Sequence, residues 1–212
     1  MHEQELRVRV GYQEDFPPFV GSGPAGPQGL AVDILTAGFE KLGIEAEWIV
    51  LSLAGQIPAL RNGDVDMLAC LGVTAERQNE IVFGEPIIQT GGALFTLQER
   101  PTELARIVTP SAGPLVAATQ AAYPTCSVVE ADNYPHALSL VIEGHADAAA
   151  LNFHVGSQIA EREFPGRFAV PDTTFQTVYL APAWAPSHDA AVRTVITDVL
   201  ASMKPLENGC LC

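Results

Sequence analysis

Positive charge is what this chain has least of. Its 212 residues hold 11 Lys and Arg against 25 Asp and Glu, a formal charge of −14. Only Lys41 and Lys204 are lysines, and the nine arginines form no cluster. Nothing here neutralises a run of phosphates, which excludes nucleic acid as a partner and disfavours an anionic membrane surface. The acidity is spread, about −8 over residues 1–106 and about −6 over 107–212, so there is no acidic tail. Cysteine is scarce as well. Cys70, Cys126, Cys210 and Cys212 make no CxxC pair and no metal-like set with histidine, and they read as buried or terminal thiols. Neither HExxH nor GxSxG occurs, so zinc hydrolysis and a nucleophile elbow find no support. No metal and no cofactor is expected. The longest uncharged stretch, residues 107–129, is broken by Pro110, Gly113, Pro114 and Pro124, which rules it out as a membrane span. The opening MHEQELRVRVG has neither a basic n-region nor an apolar h-region, which fits a cytoplasmic chain or a mature protein whose signal was replaced by a start Met.

What the chain does have is an alternation of short strand-like runs and helical stretches, the pattern of α/β units, with no linker dividing it. Residues 6–11 read as a strand with Leu6, Val8 and Val10 on one face, running into a turn that holds Asp15, Phe16, Pro17, Pro18 and Phe19. A helix over 32–42 places Val32, Leu35, Phe39 and Leu42 on one face, with Asp33 near its start and Gly43 as its stop. Residues 47–51 form the next strand. One device then occurs twice, 81 positions apart: a helix stopped by Gly63 or Gly144, followed by Asp66 or Asp147 leading into a strand. That spacing is too long for a solenoid repeat and fits two similar α/β lobes. Residues 87–95 and 175–181 are extended and read as two crossings between the lobes. A closing helix over 189–203 would pack on the first lobe, its apolar residues recurring at helical spacing.

Ligands of open α/β sheets bind outside the carboxyl ends of strands, where helix N-termini direct amide N–H groups at them. Three such ends are present. The first runs from Cys70 through Gly72 to Thr74, an N-cap for a short helix, with Arg77 three residues on; its planar fork can hold a carboxylate in two parallel bonds. The second is the segment with Ser111, Gly113 and Pro114, where Pro114 suits the first helical turn and Ser111 or Gly113 can expose backbone N–H groups. At the third, Asn152 follows a strand and either caps the next helix or faces a ligand.

Several of these segments together carry a resemblance: Val10-Gly11 before Phe16-Pro17-Pro18-Phe19, then Gly29 to Ile34, residues 57–66, and above all Thr74-x-x-Arg77 with Phe83-x-x-Pro86. The chain resembles the bacterial extracellular solute-binding proteins of family 3, over nearly its whole length. The resemblance implies a two-lobed periplasmic-binding-protein fold of type II, with two hinge crossings and a ligand cleft between lobes. Lobe I would comprise 1–89 and 178–212, and lobe II 90–177. It further implies that Arg77 grips a ligand carboxylate, helped by Gly113 with Ser111 and Pro114, while Phe16 packs on the ligand. The partners implied are a small carboxylate ligand and a membrane ABC permease, with the protein a periplasmic monomer that performs no catalysis.

The departures bear on the ligand. Gly72 stands where the family usually has Ser or Thr, and Cys70 where a small polar residue is common. Asn152 occupies the place of an Asp that would receive the ligand ammonium. A neutral amide lacks that charge-assisted bond, worth roughly 1.5–3 kcal/mol, unless Asp15 or Glu14 substitutes or the ligand has no amine. No Lys or Arg lies in 107–161, so one carboxylate is the expected anionic group. Two other functions fit the same fold. A cyclohexadienyl-dehydratase-like enzyme would need an acid such as His154, Asp147 or Glu130. A ligand-sensing domain of a larger receptor would share the binding chemistry.

Overall fold

A computed structural model describes residues 7–99, 103–111 and 113–186, together with 194, 197 and 198. The closing helix expected over 189–203 and the thiols of Cys210 and Cys212 lie outside the described residues, apart from helical Thr194, Thr197 and Asp198. In chain order the elements are β1 (Arg7–Gln13), β2 (Asp15–Phe16), β3 (Val20–Gly23), β4 (Gly26–Gln28), α1 (Leu30–Lys41), β5 (Glu45–Leu51), α2 (Gln56–Asn62), β6 (Met67–Gly72), α3 (Ala75–Gln78), β7 (Val82–Phe83) and β8 (Ile88–Phe95). They continue with β9 (Arg106–Pro110), α4 (Leu115–Ala122), β10 (Ser127–Ala131), α5 (Tyr134–Ile142), β11 (Ala148–Asn152), α6 (Phe153–Glu163) and β12 (Gln176–Trp184). The chain divides into two compact units, Met1–Gln89 with Tyr179–Cys212, and Thr90–Val178; it passes from one to the other within β8 and returns within β12.

In the first unit β1 is paired in parallel with β5 on one side and β6 on the other, and β12 lies antiparallel to β6, giving the order β5-β1-β6-β12. Val8 and Val10 alternate inward from β1, as their period-two spacing requires, and every residue of β6 is buried. Parallel strands covered on both faces read as continuous apolar runs, and Met67–Gly72 is one. Leu60 of α2 and Leu68, Leu71, Ile81 and Ala183 form one apolar cluster.

Helix α1 begins without a side-chain cap. The Pro-rich turn does that work: the Pro18 carbonyl accepts from Leu30 N–H at 3.1 Å and the Phe19 carbonyl from Ala31 N–H at 2.9 Å. Gly29 sits between at φ 120°, where a Cβ would meet the Phe19 carbonyl oxygen at 2.7 Å, so this approach requires glycine. Val32, Leu35 and Phe39 are buried as the periodicity predicts, but Leu42 is 41% exposed. It is the C-cap of α1, where the chain leaves the helical face before Gly43 at φ 65°.

The second unit has the strand order β10-β9-β11-β8, with β9 parallel to both β10 and β11, and β8 antiparallel to β11. Its core gathers Ile107, Val108, Leu138, Leu151, Val155 and Ile159. Gly156 permits α6 to seat on Phe95, whose ring a Cβ would meet at 2.6 Å. The uncharged stretch 107–129 is divided among β9, α4 and β10. Among the described residues no helix is long and apolar enough to cross a membrane.

Candidate functional site

In the first unit the candidate residues gather at the carboxyl end of β6 and in the turn after β1. Thr74, in extended conformation, caps α3: its hydroxyl accepts from the Arg77 backbone N–H at 3.2 Å. The Arg77 side chain is drawn inward, 7% exposed, and its Nη1 donates to the Gly72 carbonyl at 2.8 Å. Gly72 is thus tied to Arg77 through its backbone, a contact that composition does not reveal. That bond anchors one end of the guanidinium, and a planar fork is the group that takes a carboxylate in two parallel bonds. Cys70 is 4% exposed, and burial pushes its thiol up to about 12, which keeps it neutral and unreactive at physiological pH. Asp15 and Phe16 form β2, pair with Gly21 and Val20, and are half-buried. The Phe16 ring lies 5.7 Å from that of Phe19.

In the second unit the strand end at Ser111 differs from expectation, while Asn152 takes one of its two expected roles. Pro114 is the N-cap rather than part of the first turn, and α4 starts at Leu115 with no side-chain cap. The Ser111 backbone N–H was a candidate exposed donor; it is instead given to the Ala131 carbonyl at 2.8 Å, because Ser111 closes the β9 to β10 edge. Gly113 has open space around it, the nearest atom to a Cβ being the Pro110 carbonyl oxygen at 3.8 Å. Asn152 caps α6, its Oδ1 accepting from His154 N–H at 3.2 Å and Val155 N–H at 3.4 Å, and it is 3% exposed. Thr90 Oγ1 also donates to that oxygen, at 3.1 Å, and lies 2.8 Å from His154 Nδ1. Sequence reasoning missed Thr90, since 62 residues separate it from Asn152.

Of the acids considered for catalysis, His154 contacts Thr90 and Asp147 is held by the backbone. Asp147 Oδ2 accepts from the backbone N–H groups of Ala105 and Arg106 at 2.9 and 2.8 Å, and these bonds, Arg106 first, hold its carboxyl below the usual range. Glu130 is exposed on β10. His145 Nε2 lies 3.6 Å from the Glu143 carboxylate at the surface. Among the described residues no three His, Cys, Asp or Glu side chains gather as metal ligands would.

Residues 8–207 match the bacterial extracellular solute-binding proteins, family 3. The chain belongs to this family. It is 32% identical over 124 residues to the virulence sensor protein BvgS of Bordetella bronchiseptica, covering 54% of this chain and 10% of that protein. It is 32% identical over 94 residues to the L-arginine-binding protein of Pseudomonas aeruginosa, covering 43% of this chain and 36% of that one. This family 3 chain therefore spans about a tenth and about a third of the relatives it matches. The crystal structure of the Bordetella pertussis BvgS periplasmic VFT2 domain superposes with a TM-score of 0.83 at 23% identity, covering 94% of this chain and 88% of that one. The fold is the mixed α/β periplasmic-binding-protein fold that the family resemblance implies. The family is an extracytoplasmic one of binding proteins.

Proposed function

We propose that this family 3 protein captures a small carboxylate-bearing ligand, an amino acid or an amino-acid-like compound, by hinge closure in the periplasm and delivers it to a membrane ABC permease, without catalysis. Arg77 is the carboxylate anchor. Gly72, Thr74, Cys70, Phe16 and Asp15 of the first unit and Ser111, Gly113 and Asn152 of the second are the remaining site residues. The single observation that carries this reading is the Arg77 guanidinium, nearly buried and anchored by the Gly72 carbonyl at the carboxyl end of a parallel strand. The L-arginine-binding relative supports an amino-acid-like ligand.

Thermal-shift screening against amino acids, their deaminated carboxylates, betaines and cyclohexadienyl acids tests it. A ligand at a hundred times its Kd stabilises by about 2.7 kcal/mol. Arg77→Ala abolishes that shift, and Arg77→Lys, which keeps charge without the fork, lowers the affinity at least tenfold and so cuts the shift to about half or less at the same ligand concentration. Calorimetry showing unchanged affinity in Arg77→Ala overturns the assignment, and a ligand consumed during incubation replaces binding by enzymatic turnover.

A second reading has its own observation in favour of it, the sequence similarity to BvgS over 54% of the chain, with a shared fold over 94% of it. On that reading the chain is the ligand-sensing part of a receptor. An antibody to the chain decides by the size of the native polypeptide. A soluble product near 22.5 kDa favours a transport component, and a much larger membrane-bound one favours a sensor.

A further inference from the structure

Strand β8 has β11 along one edge. The return segment 168–175 meets its other edge at two places: Phe175 N–H donates to the Gly92 carbonyl at 2.8 Å and Ala169 N–H to the Thr96 carbonyl at 2.9 Å. Alternate residues of a strand turn their backbone groups to the same edge, so Leu94, midway between Gly92 and Thr96, directs its own N–H and C=O there as well. Residues 169 and 175 are six steps apart where 92 and 96 are four, so the return segment bows away in between. Among the described residues no backbone bond crosses from it to Leu94. Beneath the bow is a hollow of about 250 Å3, lined by Leu94, Leu104, Tyr123, Pro171 and Phe175 together with threonines and Asp172. Leu104 precedes β9 and Tyr123 follows α4, which places the hollow at the amino end of β9. Ser111 and Asn152 lie at the carboxyl ends of β9 and β11, so the hollow is separate from the proposed ligand site within this unit.

The lining selects an occupant. The backbone pair of Leu94 calls for an acceptor and a donor side by side, as one edge of a primary carboxamide presents them. Tyr123 and Phe175 stand edge to face with ring centroids 5.5 Å apart, and with Leu104 and Pro171 they make walls suited to a flat ring. Asp172 is the one charged residue among the described lining, so an anion would lose its hydration here without gaining a cation. The volume falls below the roughly 300–1,000 Å3 of drug-sized sites and has room for a single ring with its amide. We infer that this hollow is a second binding site of the chain, selective for a small neutral aromatic carboxamide. Its chemistry is opposite to that of Arg77: one end of the fold selects a carboxylate, and this hollow rejects it.

Benzamide is the probe, titrated into the uniformly 15N-labelled full chain and followed by amide proton–nitrogen NMR. The Leu94 and Phe175 signals should shift saturably. N,N-dimethylbenzamide, which has no N–H, and benzoate, which is charged, should each bind about tenfold or more weakly, since each leaves a backbone or ligand group unpaired. Thr173→Trp, on the exposed part of the bow, fills the hollow and should abolish the Leu94 shift while the other signals of the second unit report an intact fold. The absence of a saturable shift at Leu94 overturns the inference. Equal binding of the three compounds does so too, as does a Leu94 shift that persists in Thr173→Trp. None of these results bears on the carboxylate reading, which is decided by titrations of Arg77 variants.

Discussion

The two units solve one folding problem twice, and the second solution uses different atoms. Each has its first strand flanked in parallel by the second and third, with the crossing strand antiparallel to the third: β5-β1-β6-β12 and β10-β9-β11-β8. In each, a helix ends at a glycine with φ 77°, Gly63 or Gly144, and an aspartate three residues later precedes the third strand. Asp66 N–H donates to the Arg9 carbonyl at 2.8 Å, and Asp147 N–H to the Arg106 carbonyl at 2.9 Å. Arg9 Nη1 reaches the Asp64 carbonyl at 3.0 Å, and Arg106 Nη1 the His145 carbonyl at 2.9 Å, each two residues before the aspartate. The carboxylates then diverge. Asp66 takes the Arg9 backbone N–H and grips its guanidinium through Nε and Nη2 at 3.1 and 2.7 Å. Asp147 takes two backbone N–H groups instead. The aspartate thus fastens the third strand to the first in both units. Whether it does so through an arginine fork or through amides is a local choice.

This comparison sharpens first through the aspartates themselves. Asp66→Ala removes three charge-assisted bonds, two of them the Arg9 fork, at a carboxylate only 17% exposed, and costs about 3 kcal/mol. Asp147→Ala leaves two amides that lie nearer water and costs about 1–2 kcal/mol. Urea denaturation of the two variants gives the order, and equal losses would show that the fork adds nothing.

The device was legible because its parts are local. Gly-x-x-Asp after an apolar helix announces a left-handed C-cap and a strand entry within four residues, and Thr74 before Arg77 announces a cap in the same way. Its bracing was not legible, since Arg9 lies 57 residues from Asp66 and no periodicity links them. The same holds for Thr90, which arrives at Asn152 from another strand. Asn152 stood evenly between cap and ligand contact in the sequence. The cap is plain in the structure because its oxygen lies within reach of two amides of the first turn of α6. Ser111 failed as a free donor for a related reason: strand pairing consumed its N–H, and pairing is decided by which strands meet.

A smaller effect comes from the glycines. Both hold φ 77° and a Cβ at either would meet nothing within 4 Å, so the cost of Gly63→Ala and of Gly144→Ala is backbone strain alone, about 1 kcal/mol each. The two losses should agree to within a few tenths of a kcal/mol, since the strain is the same in both. A difference approaching 1 kcal/mol would mean that the units tolerate the same turn unequally, and that the likeness of the two devices stops at geometry.

The smallest effect is the pH dependence of the amide-bound carboxylate. Arg106 and Ala105 N–H bonds hold the Asp147 carboxyl below its ordinary value of 3.8 in the folded chain. A depressed folded pKa means that the unfolded chain takes up the proton first as pH falls. The stabilisation is therefore fully present well above 3.8, and it is lost as the pH drops from about 3.8 through the lower folded value. Asp147→Asn cannot ionise and lacks this contribution at every pH. Urea midpoints of wild type and Asp147→Asn should differ at pH 7 and converge on acidification, most steeply below 3.8. A gap that stays constant down to pH 3 would show that the amides bind the neutral side chain as well as the carboxylate, and that in this unit the charge of the aspartate is not what fastens the strand.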